Sequence, residues 1–195
     1  LGGGSNIYRN EIIKKFKNYY DNVICILYDF GKKSYLIRLY SKYNIEEKIL
    51  KTLKEVENFI ETIEIESVFL NNLVNYSDFF YMLELVKKIG KNKKITVAIH
   101  DYYLICPIYT LINYKGTYCN IPPVEECSNC IKNYRLENVP LEVLNIFKII
   151  RLSNNIKEKI LLYRSLVQEI FNFSNEILVF SQSSKNILTK VYSNI

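Results

Sequence analysis

Short apolar runs alternate with amphipathic segments along the 195 residues of this chain, and that rhythm limits the fold more than any other feature. Residues 22–30 (NVICILYDF), 67–70 (SVFL), 95–99 (ITVAI) and 176–180 (EILVF) are apolar almost throughout. Strands of that kind suit a parallel sheet covered on both faces, whereas a half-solvated strand alternates. Residues 35–40 read as a further strand after a turn at Gly31-Lys32-Lys33. Between the runs lie helical patterns. Residues 46–60 put Ile49, Leu50, Leu53, Val56, Phe59 and Ile60 on one face. Residues 77–89 start at a Ser77 cap and stop at Gly90, and residues 156–171 repeat the pattern. Ile7, Tyr8, Ile12, Ile13 and Phe16 mark a leading helix, residues 141–152 are rich in Leu and Ile, and a last helix runs from Ser183 or Ser184 to Tyr192. The expectation is one α/β domain over residues 1–195 with a mainly parallel sheet.

In such sheets ligands collect at the carboxyl ends of the strands. Gly2 to Ser5, Asn71-Asn72, His100-Asp101 and Ser181 to Ser183 are expected on that edge. A glycine-rich loop that opens a helix normally follows a strand, and none precedes Gly2 here. Either a first strand is missing or another element fills its place.

The segment from His100 to Cys130 (HDYYLICPIYTLINYKGTYCNIPPVEECSNC) directly follows the 95–99 strand and holds the only histidine. A histidine at a strand end can act as a base, an electrostatic contact or a hydrogen-bond donor to a sugar hydroxyl; the plainer role is a structural histidine bonded to backbone. Cys106, Cys119, Cys127 and Cys130 follow the spacing C-x12-C-x7-C-x2-C, in a loop at about residues 101–140. They either hold a structural tetrahedral zinc or stay reduced and pack the loop. A redox role is disfavoured, because the C-x-x-C is expected in a loop after Pro122-Pro123 and not at the start of a helix after a strand. Gly2-Gly3-Gly4-Ser5 at a helix start offers free N–H groups to an anion, or is simply a flexible end. It matches neither G-x-G-x-x-G nor a Walker loop.

The formal charge of +6 is spread over short lysine runs between apolar segments. That pattern argues for solvated faces, with a sharper alternative of a surface facing anionic lipid or a phosphorylated substrate. No block is dense enough for nucleic acid. No apolar run reaches the ~18 residues of a membrane span, and no signal peptide opens the chain. A cytoplasmic setting with reduced cysteines is expected.

Taken together, these residues resemble the N-terminal half of GT-B-fold glycosyltransferases of the retaining group-1 family. The likeness rests on Gly2-Gly3-Gly4-Ser5-Asn6-Ile7-Tyr8, on His100-Asp101-Tyr102-Tyr103-Leu104-Ile105-Cys106-Pro107 with the trailing cysteines, and on residues 177–192 (ILVFSQSSKNILTKVY). The resemblance implies a Rossmann-like three-layer α/β/α domain that binds the acceptor, a glycan or lipid-linked glycan, in bacterial polysaccharide biosynthesis. Gly3, Gly4 and Ser5 would lie near the donor, with Asn71, Asn72 and Ser181 on the substrate edge. His100 would contact the transferred sugar or stabilise the transition state, and Asp101 would orient His100 or bind an acceptor hydroxyl. No cofactor is required for such catalysis, so a zinc would be structural. The nucleotide sugar would be held mainly by a C-terminal GT-B domain whose E-x7-E motif does not follow Ile195. The chain therefore looks like half an enzyme, inactive alone, in peripheral contact with the inner face of the membrane. The rival reading is a non-enzymatic zinc-stabilised α/β binding module.

Overall fold

The computed structural model describes residues 4–74, 76 and 78–193. The chain is mixed α/β and divides into two compact units, residues 1–64 and 65–195.

The first unit opens with helix α1 (Gly4–Phe16). Three strands follow, β1 (Val23–Asp29), β2 (Ser34–Tyr40) and β3 (Ile45–Leu50), in an antiparallel sheet of order β1-β2-β3. The expectation of a mainly parallel sheet fails for these strands. A parallel crossover needs a dozen residues or more, and only residues 30–33 join β1 to β2. Asp29 Oδ1 closes that turn by accepting the Lys32 N–H at 3.0 Å, and Lys33 takes a left-handed φ of 48°. Tyr35 and Ile37 of β2 are buried in the unit's core with Val56 of α2 (Leu53–Glu61).

The helix expected over residues 46–60 is shorter, and its first part is β3. Thr52 Oγ1 accepts the Glu55 N–H at 3.1 Å, which fixes the helix start there, and the Glu55 carboxylate reaches back to the Lys51 N–H at 2.9 Å. Residues before that cap are free to pair, and Ile45 to Leu50 do so in register with Tyr40 to Tyr35.

The second unit carries the parallel sheet, order β4-β5-β6, from β4 (Ser67–Leu70), β5 (Lys94–Ile99) and β6 (Glu176–Val179). Helix α3 (Phe79–Gly90) links β4 to β5. Its cap is Asp78, whose side chain accepts from the Tyr81 N–H at 3.0 Å; the expected Ser77 cap lies outside the described residues. Gly90 ends α3 against the sheet, where a Cβ would stand 2.0 Å from Ile95 Cδ1. Any larger residue there would force the Ile95 side chain to shift. Asn175 starts β6 by exchanging two 2.8 Å hydrogen bonds with the backbone of Ile95, one from its own N–H and one through its side-chain oxygen.

Between β5 and β6 lie α4 (Val124–Asn133), two short 3₁₀ turns, α5 (Leu144–Arg151) and α6 (Ile156–Phe173). The C-x-x-C is therefore helical, a correction to the expected loop. Pro123 caps α4, and Glu125 and Glu126 occupy its first turn, where the helix dipole favours acids. Ser181 caps α7 (Gln182–Leu188), which starts one or two residues earlier and ends sooner than expected. Among the described residues no helix is long and apolar enough to cross a membrane.

Candidate functional site

The carboxyl edge of the parallel sheet gathers four of the expected residues. β4 ends at Leu70, level with Val97, so Asn71 and Asn72 emerge beside the end of β5. β5 ends at Ile99, level with Val179, so one further residue sets His100 beside Phe180. The two rings stack with centroids 4.8 Å apart and planes 18° from parallel. His100 Nε2 lies 3.0 Å from Asn71 Oδ1. An amide oxygen can only accept, so in that contact Nε2 carries the hydrogen. Burial lowers the His100 pKa, partly opposed by the Asp101 carboxylate, which favours a neutral ring.

Asp101 makes a second linked pair. Its Oδ1 accepts the Tyr103 N–H at 2.9 Å, and its Oδ2 accepts from Asn72 Nδ2 at 3.0 Å. Asn72 Oδ1 in turn accepts the Val74 N–H at 2.6 Å, so both ends of this amide are assigned by their partners. Burial raises the Asp101 pKa, against these two donors and the His100 ring. Both its oxygens are engaged in shaping the turn after β5, and a cavity of about 10 Å³, room for about one water, lies between the strand ends and that turn.

The next three residues are held from the far side of the unit. The Tyr163 hydroxyl donates to the Tyr103 carbonyl, the Tyr192 hydroxyl to the Leu104 carbonyl, and Arg164 Nε to the Ile105 carbonyl at 3.2 Å. Tyr163 is buried and stacks on Phe79, with Tyr103 edge-on to both. Unpaired buried carbonyls are costly, so these contacts fix the path of the chain leaving His100.

Gly4 begins α1 and is exposed, a Cβ there would touch nothing, and Ser5 follows it; both belong to the first unit. Gly3 lies outside the described residues. Ser181 Oγ is engaged in capping α7, accepting the Ser184 N–H at 3.0 Å and donating to Ser184 Oγ at 2.9 Å.

Cys106, Cys119, Cys127 and Cys130 are all free thiols and line one cavity of about 190 Å³. Among the described residues no three His, Cys, Asp or Glu side chains are grouped to hold a metal ion. Cys25 sits in β1, where burial raises its pKa.

Phe180, Tyr163 and Arg164 are among the side chains at these places that sequence reasoning did not single out. Phe180 carried a signal, since it closes an apolar run and its register follows from pairing β6 beside β5. Arg164 carried none: it sits in an amphipathic helix like any solvated arginine. No protein-family model, curated protein or solved structure matches the chain.

Proposed function

We propose that this chain is the acceptor-binding, Rossmann-like domain of a GT-B-type glycosyltransferase that moves a sugar from a nucleotide-sugar donor to a glycan or lipid-linked acceptor. The observation that carries the reading is His100 at the carboxyl end of the central parallel strand, held by Asn71 and stacked on Phe180, where burial lowers its pKa. A neutral imidazole beside amide side chains is a hydrogen-bonding surface suited to sugar hydroxyls, and the Phe180 ring adds an apolar face for sugar C–H groups.

His100 is the residue that meets the sugar, and Asn71 positions it. Asp101 acts through Asn72 and the Tyr103 N–H to set the turn beneath the site. The acceptor hydroxyl must be brought against the anomeric carbon of a donor held by a second domain, so the contribution of this half is orientation and the exclusion of water.

Calorimetric titration of the chain with a panel of oligosaccharides, lipid-linked glycans and nucleotide sugars tests the proposal. Saturable binding of a glycan is expected, weakened about tenfold or more in His100→Ala, the worth of one or two lost hydrogen bonds. Equal binding by His100→Ala, or no glycan binding at all, would overturn it.

A further inference from the structure

The cavity of about 190 Å³ is walled by the loop after β5 and by α4, α5 and α6, and it shares no lining residue with the small cavity at the strand ends. Ile108, Leu111, Ile131, Ile150, Ile160 and Tyr163 line it and are buried. Well-packed interiors hold few voids larger than a water, so an apolar space of this size calls for an occupant. The loop is folded around it. The Cys119 N–H donates to the Leu111 carbonyl at 2.7 Å, and Ile112 bridges to Tyr118. Leu111 and Ile121, both on the wall, hold left-handed φ values of 56° and 53°. Side chains of that bulk avoid this region, and such outliers persist where the surroundings hold them, typically at ligand clamps.

One half-buried charge reaches the wall. Arg164 Nε donates to the Ile105 carbonyl at 3.2 Å, and Nη2 stands 3.5 Å from Cys127 Sγ. Both acceptors are neutral, since the Cys127 thiol itself donates to the Pro122 carbonyl at 3.7 Å. Among the described residues no carboxylate forms an ion pair with Arg164. Lys115 and Glu126 also line the cavity, but they are exposed and opposite in sign. The guanidinium has five N–H donors and commits two of them. Its planar fork matches a carboxylate.

Size and chemistry narrow the rest of the ligand. An engineered apolar cavity of about 150 Å³ takes up benzene, so this one has room for a six-membered ring with a short substituent. Cys106, Cys119, Cys127 and Cys130 are free thiols on its wall. Polarizable sulfur makes favourable contacts with aromatic rings, which an aliphatic chain does not return.

We propose that this cavity binds a small aromatic monocarboxylate, its ring among the thiols and buried isoleucines and its carboxylate paired with Arg164. Binding is non-covalent. The assignment stands apart from glycosyl transfer and survives if that reading fails.

The test is calorimetric titration of the full chain with phenylacetate, with its neutral amide phenylacetamide, and with hexanoate. Phenylacetate is expected to bind saturably in the millimolar range or tighter. Phenylacetamide should bind about tenfold more weakly, for want of the charge-assisted pair, and hexanoate should also bind more weakly than phenylacetate. Arg164→Gln, which keeps a side-chain N–H donor, should bind the acid and the amide alike. If that variant does not fold, alkylation of the wild-type chain decides: phenylacetate should slow the reaction of the cavity cysteines with iodoacetamide and leave Cys25 of the first unit unaffected. No saturation by phenylacetate across the millimolar range, equal binding of acid and amide to wild type, hexanoate binding as tightly as phenylacetate, or unprotected cavity thiols would overturn the proposal.

Discussion

Replacing Tyr163 with Phe tests how firmly the chain leaving His100 is held. The Tyr163 ring stays stacked on Phe79, at a centroid separation of 4.4 Å, and only the hydroxyl that donates to the Tyr103 carbonyl is removed. No apolar area is lost, so the whole effect is a buried carbonyl deprived of its donor. That costs about 1–3 kcal/mol. For a chain of this size each kcal/mol lowers Tm by about 2–4 °C, so a fall of about 2–12 °C follows. Tyr163→Ala also empties the ring site and should cost about 3–5 kcal/mol. The chain has no tryptophan, so thermal and urea unfolding are best followed by circular dichroism in the far and near ultraviolet. If Tyr163→Phe stays within about 0.5 kcal/mol of wild type, as a surface change would, the hydroxyl does not hold the loop and the reasoning fails.

Gly90→Ala should destabilise by about 1–3 kcal/mol through overpacking, although alanine is the better helix former, because the new methyl meets Ile95 Cδ1 at 2.0 Å. Adding Ile95→Val, which deletes that carbon, should recover part of the loss; equal stability of Gly90→Ala and wild type in urea would contradict the close approach. His100 is the only histidine, so its ring-proton NMR signals need no assignment by mutation. They should titrate below the ordinary value of 6.5, because burial disfavours the charged ring. Between the two values the unfolded chain binds more protons than the folded one, so this term strengthens folding as pH rises to 6.5 and is lost as pH falls below it. Asp101, raised by burial, acts in the opposite sense: its term weakens folding as pH rises above 3.8. A His100 midpoint at or above 6.5 would show that the ring is not desolvated.

Much of the second unit was legible because its strands are apolar throughout and its long helices keep one apolar face. β4, β5 and β6 stand where their runs predict, and so do α3 and α6 to within a few residues. The first unit misled for the same reason. β1 and β2 are as apolar as buried parallel strands, and only the four-residue connection at 30–33 betrays an antiparallel pair. Residues 45–50 happen to place Ile49 and Leu50 in helical phase with Leu53 and Val56, yet Thr52-x-x-Glu55 marks the helix start in plain view. α4 was hidden by its prolines and cysteines, although Pro123 followed by Val124-Glu125-Glu126 is a legible helix opening. At the site, the strand ends put Asn71, Asn72, His100 and Asp101 on one edge, but the hydrogen bonds between them were not foreseen.

The central claim is that His100 meets a sugar, and its own NMR signal reports that most directly. Addition of the glycan that binds the chain should shift the His100 ring-proton signals saturably, with the same Kd as calorimetry, and Asn71→Ala should weaken the response. Glycan binding that leaves those signals unmoved would place the sugar elsewhere and contradict the account.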